Sequence, residues 1–180
     1  MARVSVRDAR AERLMAPAAP LLLRVLRENY HGGAWHGPAV LTALHDLDAS
    51  GARWRPGPGR HNIWELTIHL AYTRHIILRR MGLETPAFPH RLTKAWWPSA
   101  PAALTAVAWM DELALLDTLH GELVAAVSGA GRRLLAMVRP RRNLTIAMEV
   151  LGVATHDAYH AGQMQMIRRM WESRGKRSGR

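Results

Sequence analysis

Apolar positions along this chain recur at helical spacing through most of its length. Leu21 to Asn29 repeats at three and four residues. His31-Gly32-Gly33 ends that stretch, because glycine accepts the left-handed conformation that closes a helix. Pro38, suited to a first helical turn, opens a segment whose apolar face is Val40, Leu41, Leu44 and Leu47, and Asp48-Ala49-Ser50-Gly51 marks its end. Arg55-Pro56-Gly57-Pro58-Gly59 cannot continue a helix and reads as a loop. A long helix is predicted from Asn62, its N-cap, to Met81, with Gly82 as the stop. Leu66, His69, Tyr72, Thr73 and Ile76 share one stripe of it. Leu83 to Pro101 contains Pro86, Pro89, Pro98 and Pro101 with Phe88, Trp96 and Trp97, and is too long for a tight turn. Its aromatics either cover the mouth of a pocket or pack over the open end of a bundle. Two further helices are predicted, from about Ala102 to Val127 and from near Asn143 to about Trp171. Leu134 to Val138 can be extended, but no strand series accompanies it.

Four long amphipathic segments with loops between them predict an all-α protein, a four-helix bundle with an N-terminal helical extension. Residues 1–19 read as a flexible arm, 20–172 as the bundle and 173–180 as a basic tail. The 180 residues and a hydrophobic share of 48% suit one globular domain with a sizeable core. There is no cysteine, which excludes disulfides, thiolate ligands and a thiol nucleophile from the chain itself. The net charge is +11 and nearly all of it is arginine, since lysine occurs only at Lys94 and Lys176. Two readings stay open: an anion-binding surface for nucleic acid, phosphate or an acidic substrate, or ordinary solvated cations. The arginines cluster at Arg132, Arg133, Arg139, Arg141 and Arg142, and again from Arg168 onward, without the aromatic interleaving of a single-strand groove. No run of 18 apolar residues predicts a membrane span. Pro17 and Pro20 interrupt the apolar stretch after the Arg-rich start, so no targeting peptide is expected.

The candidate chemistry lies in His156-Asp157-Ala158-Tyr159-His160-Ala161-Gly162-Gln163. Two imidazoles at i and i+4 share a helix face and can grip one metal ion. Ten histidines in 180 residues give about half such a pair by chance, so the setting carries the weight. Ile146, Val153, His156, His160, Met164 and Ile167 follow one mainly apolar stripe, on which two unpartnered imidazoles would be costly. His69, on the second long helix, can supply a third nitrogen. The competing reading satisfies the histidines by core contacts, for example with Glu149. The HExxH zinc-peptidase motif is a remote match, because Asp157 stands where that motif has glutamate.

Trp35-His36-Gly37-Pro38, Arg60-His61-Asn62-Ile63-Trp64-Glu65-Leu66-Thr67-Ile68-His69-Leu70 and the His156 to Gln163 segment together resemble the DinB/YfiT-like superfamily. The resemblance covers roughly residues 35–172, and His-x-x-x-His-x-Gly-Gln is its most specific part. It implies a four-helix bundle with a long crossover, often a homodimer. It implies a divalent metal, zinc or nickel, held by three histidines that map onto His69, His156 and His160. Characterised relatives include thiol-dependent transferases and isomerases, which implies a low-molecular-weight thiol as cosubstrate.

The expected function is therefore a metal-dependent enzyme of thiol-transferase type, in a cytoplasmic homodimer acting on a small, anionic substrate. A hydrolase using metal-bound water is the first alternative. A non-catalytic metal-stabilised bundle that binds an anionic partner, nucleic acid included, is the second. Around the metal, Gln163 is expected to hydrogen-bond a bound ligand and Glu65 to accept from His69. His61 and His36, at predicted helix starts, can reach the bundle mouth. Asp157 is expected as an interhelical or supporting contact rather than a general base, and Tyr72 and Tyr159 as core or rim.

Overall fold

The structure is a computed structural model and describes residues 18–94 and 96–177. The arm expected over residues 1–19 lies outside the described residues up to position 17, as does the end of the basic tail from 178. The helices are α1 (Ala18–His31), α2 (Val40–Leu44), α3 (Ala49–Arg53), α4 (Ile63–Arg80), α5 (Ala106–Gly129) and α6 (Ile146–Arg177). Two small antiparallel ribbons complete the fold: β1 (Leu92–Lys94) with β2 (Trp97–Pro98), and β3 (Met137–Arg139) with β4 (Leu144–Thr145). The N-terminal helical extension is α1, which packs on α5 and α6 and so supplies one of the four long helices of the bundle.

Helix α4 is the centre of the molecule. Twelve of its eighteen residues are buried, Ile63, Trp64, Ile68, Leu70 and Leu78 among them. A single stripe therefore understates it, because α5 and α6 cover it from different sides and α3 and β2 add further contacts. Its ends follow the sequence closely. Asn62 accepts from the Glu65 amide while the Glu65 carboxylate accepts from the Asn62 amide, a complete capping box. At the other end the Leu83 amide reaches the Leu78 carbonyl, and Gly82 takes φ 80. Arg133 donates to the Met81 carbonyl at 2.6 Å and ties the loop after α5 to this terminus.

The helix expected over residues 38–47 stops after Leu44, and Asp46 turns left-handed at φ 55. Asp48 does not end a helix but starts one, its carboxylate accepting from the Gly51 amide at 2.7 Å. The carbonyls freed by the break find side-chain donors. Trp109 Nε1 reaches the Leu47 carbonyl at 2.7 Å, and Arg168 reaches the His45 carbonyl at 2.5 Å. A Cβ at Gly51 would lie 2.6 Å from Leu47 Cδ1 and 3.0 Å from Trp171 Nε1, so both side chains would have to shift to admit one.

Helix α5 begins later than expected, at Ala106, where Thr105 caps the Ala108 amide. Helix α6 starts at Ile146 rather than near Asn143, which sits left-handed at φ 52 in the turn between β3 and β4. The Leu134–Val138 run divides between a 3₁₀ turn and β3. The ribbon is too short for a sequence period of two to show. Among the described residues no helix is long and apolar enough to cross a membrane.

Candidate metal centre

Helix α6 sets His156 and His160 one turn apart, and α4 brings His69 to the same point. His156 Nε2 lies 3.0 Å from His69 Nε2 and 2.9 Å from His160 Nε2. His69 and His160 are buried and His156 is partly buried. The three ring planes meet edge to face, so the nitrogens converge while the carbons pack outward.

The hydrogen bonds behind the rings fix where their protons sit. His69 Nδ1 donates to the Trp96 carbonyl at 2.6 Å. His160 Nδ1 donates to Gln163 Oε1 at 2.7 Å, and Gln163 Nε2 donates to the Tyr159 hydroxyl at 3.0 Å. A neutral imidazole carries one N–H, so Nε2 of both rings is left as a lone pair. His156 Nδ1 is buried without a hydrogen-bond partner among the described residues. Three converging nitrogens thus share at most one proton. Either two lone pairs face each other or the buried Nδ1–H of His156 is unsatisfied as well. Burial, more than the neighbouring rings, pushes the His156 pKa down to about 3 and the His160 pKa down to about 4. Burial also lowers His69, against the Trp96 carbonyl, which raises it. All three are neutral at pH 7, so protonation does not relieve the crowding. A divalent cation accepting the three lone pairs does, and the donor set fits one.

Trp96 holds φ 71, a strained value for a bulky residue, and it is this conformation that carries its carbonyl to His69. Trp97, the next residue, is sandwiched. Its indole stacks on His69 at 4.2 Å and on His61 at 3.7 Å, within 10° of parallel to each. The aromatics of the 83–101 segment therefore do both things expected of them: Phe88 and Trp97 pack against the core, and Trp97 also walls the cavity over the triad.

That cavity has a volume of about 760 Å³, the size of a small-molecule site. The triad, Gln163, His61 and Arg60 form its polar part. Leu66, Trp97, Met166, Ile167 and Met170 give it apolar walls, and Tyr159 stands at its rim. A bidentate pair places the remaining wall. Arg55 Nη1 and Nη2 hold the two oxygens of Glu65 at 3.0 and 2.5 Å, and Arg55 also bonds the Arg60 carbonyl, which fixes the Pro56–Arg60 loop over the opening.

Glu65 therefore does not accept from His69; the Trp96 carbonyl takes that place. Glu65 instead closes the helix cap and accepts from Arg55 and from His61 Nδ1 at 2.9 Å. Burial pushes its carboxyl up, but the bonds from Arg55 and His61 outweigh that and hold it below its ordinary value. His61 lines the cavity beside Trp97, whereas His36 pairs with Asn29 at 2.9 Å, away from it. Glu149 satisfies no histidine: it binds Arg80 at 2.7 Å. Asp157 turns away from the triad and binds Arg74 of α4 at 2.6 Å with both side chains fully buried, which removes the peptidase reading. Arg74 was not legible in the sequence, being one arginine among many on a helix that reads as half-exposed. Nor were Met166 and Met170, whose spacing is that of any core stripe.

The sequence profile of the DinB superfamily matches residues 34–164, a span that holds all three histidines and Gln163. Searches of curated proteins and of solved structures each found no match to the chain. With a helical bundle, a converged histidine triad and a profile match over most of its length, the chain belongs to the DinB superfamily.

Proposed function

We propose that this protein is a metal-dependent enzyme that activates an external low-molecular-weight thiol and transfers it to an apolar electrophile. The observation that carries the reading is the convergence of three neutral imidazoles on the floor of a cavity with mainly apolar walls, in a chain without cysteine. His69, His156 and His160 would hold the ion, zinc or nickel by family resemblance, and a divalent ion so placed lowers the pKa of a thiol or water bound to it.

The chain's own groups then divide the work. The Trp96 carbonyl and Gln163 position His69 and His160 with their Nε2 lone pairs inward. With their lone pairs on the ion, the three rings would not take up the proton that the thiol gives up. His61 is the imidazole on the cavity wall outside the triad and is the proposed proton acceptor. Glu65 accepts from its Nδ1, which leaves the lone pair of the neutral ring on Nε2. Met166, Ile167 and Met170 receive the apolar part of the electrophile and exclude water from it.

Metal analysis and a thiol screen test this. One ion per chain is expected, with tight binding abolished in His156→Ala and His160→Ala. The cobalt-substituted protein should develop a sulfur-to-metal charge-transfer band with a suitable thiol, and His61→Gln should lower kcat with little effect on metal content. Full metal stoichiometry in both alanine variants overturns the site. No spectral response to any biological thiol, alongside water-dependent cleavage of an ester or amide, replaces thiol transfer with hydrolysis.

A further inference from the structure

The triad has a second side. His69 and His156 also line a separate cavity of about 400 Å³, whose other walls come from α4, the start of α6 and the β3–β4 ribbon. The two chambers differ in chemistry. Both have mainly apolar walls, but the larger has a single arginine, Arg60, and no carboxylate, whereas the smaller brings together Arg80, Arg139 and Glu149, two cations around one carboxylate. Arg80 is committed: Nη1 binds Glu149 Oε2 at 2.7 Å and its guanidinium lies 5.2 Å from the Trp96 ring centroid. Arg139 is not. Its guanidinium pairs with Glu149 Oε1 only at 3.7 Å, beyond hydrogen-bond range, and that buried oxygen has no hydrogen-bond partner among the described residues. A partly buried guanidinium with unspent donors, beside a metal-type triad and in a chamber of net positive charge, is built to meet an anion.

We propose that the smaller chamber binds the carboxylate end of a small molecule through Arg139, with the nearby Arg80 adding positive charge, while the other end of that molecule reaches the triad. The inference rests on the proposed thiol reading in one respect: the molecule is then a thiol that carries a carboxylate. The electrophile approaches from the larger chamber. It also gives one member of the Arg132–Arg142 cluster a specific task. Arg133 is spent on the Met81 carbonyl.

Three probes separate the contributions in the zinc-loaded full chain: 2-mercaptoethanol, 3-mercaptopropionate and propionate. Calorimetry should show 3-mercaptopropionate binding about tenfold tighter than 2-mercaptoethanol, the scale of one charge-assisted hydrogen bond. Arg139→Gln should erase that preference without changing 2-mercaptoethanol binding. In metal-free His160→Ala, ligand-observed NMR should still detect propionate, weakened about tenfold by Arg139→Gln. Glu149→Gln, which keeps the shape and removes the competing charge, should strengthen propionate binding. If neither thiol binds but propionate does and needs Arg139, the carboxylate site stands and the thiol reading falls. If Arg139→Gln changes neither propionate binding nor the thiol preference, or if Glu149→Gln weakens propionate, the carboxylate site is wrong.

Discussion

Asp157 and Arg74 meet at 2.6 Å with no solvent exposure on either side chain, and Asp157 directly follows the histidine that faces both of the other two. The pair locks α6 to α4 beside the triad. Around it lies a small polar island. His120 sits 3.5 Å from Arg74 Nη2 and stacks on Tyr30 at 3.7 Å, and Tyr30 donates to Asp117 at 3.3 Å. Burial pushes the Asp157 carboxyl up while Arg74 opposes it.

Breaking this pair on one side should be costly and removing it whole should not. Asp157→Ala leaves Arg74 charged and unpaired in the core, an expected loss of about 3–5 kcal/mol. The double variant Arg74→Met/Asp157→Leu should recover most of it. Urea midpoints measure both, and a double variant as unstable as the single would show that the pair acts through something other than uncompensated charge.

Gln163→Ala should loosen His160 without removing a ligand. The ring loses the acceptor that fixes its Nδ1 proton, and such supporting bonds are worth about 10- to 100-fold in metal affinity. Competition with a chromogenic chelator reads the change. Unchanged affinity would mean that packing against Tyr159 alone orients the ring.

The metal-free protein should lose stability in mild acid. Burial, reinforced by the charge of Arg74 and of the facing His31 and Arg27, lowers the His120 pKa to about 3, and His156 and His160 are depressed to about 3 and 4. An unfolded chain binds those protons near pH 6.5, so stability is complete above that value and falls progressively toward pH 4. Melting temperatures across pH 7.5 to 4.5 should slope accordingly, and less steeply in His120→Phe. A flat profile would contradict the neutral, buried state of these rings.

Chelation should leave the helices intact. The core runs from Leu26 and Tyr30 through Trp64, Leu116 and Leu123 to Val150 and Met164, and none of these depends on an ion. Circular dichroism of the chelated protein should retain the helical signal, with a lower melting temperature than the loaded form. Loss of most of that signal would make the ion a folding nucleus instead.

How far the sequence could be read follows from the physics of each part. The Asn62 and Gly82 boundaries of α4 were legible because capping chemistry is local. The triad was legible as a spacing on one helix and a histidine on another. The break at Asp46 was not, because what stabilises it is Trp109 and Arg168, distant in sequence, donating to Leu47 and His45. The acceptor on His69 was misassigned for the same reason. A side chain four residues away is visible in a sequence, whereas a backbone carbonyl from residue 96, aimed by an unusual φ, is not. The second chamber was legible only as excess arginine.

One helix, α6, carries two of the three nitrogens, the amide behind one of them, walls of both chambers and the acid of the buried pair. Each residue of an α-helix advances the side chain by about 100°. A single insertion or deletion between Val153 and Gln163 would therefore swing part of this set away from the rest, and no adjustment of a loop could restore it. Point changes remain open to drift; changes of length do not. Just ahead of α6, length variation among relatives should fall between Ala130 and Thr145, where a 3₁₀ turn and a two-stranded ribbon absorb it, and should stop where that stretch becomes helix.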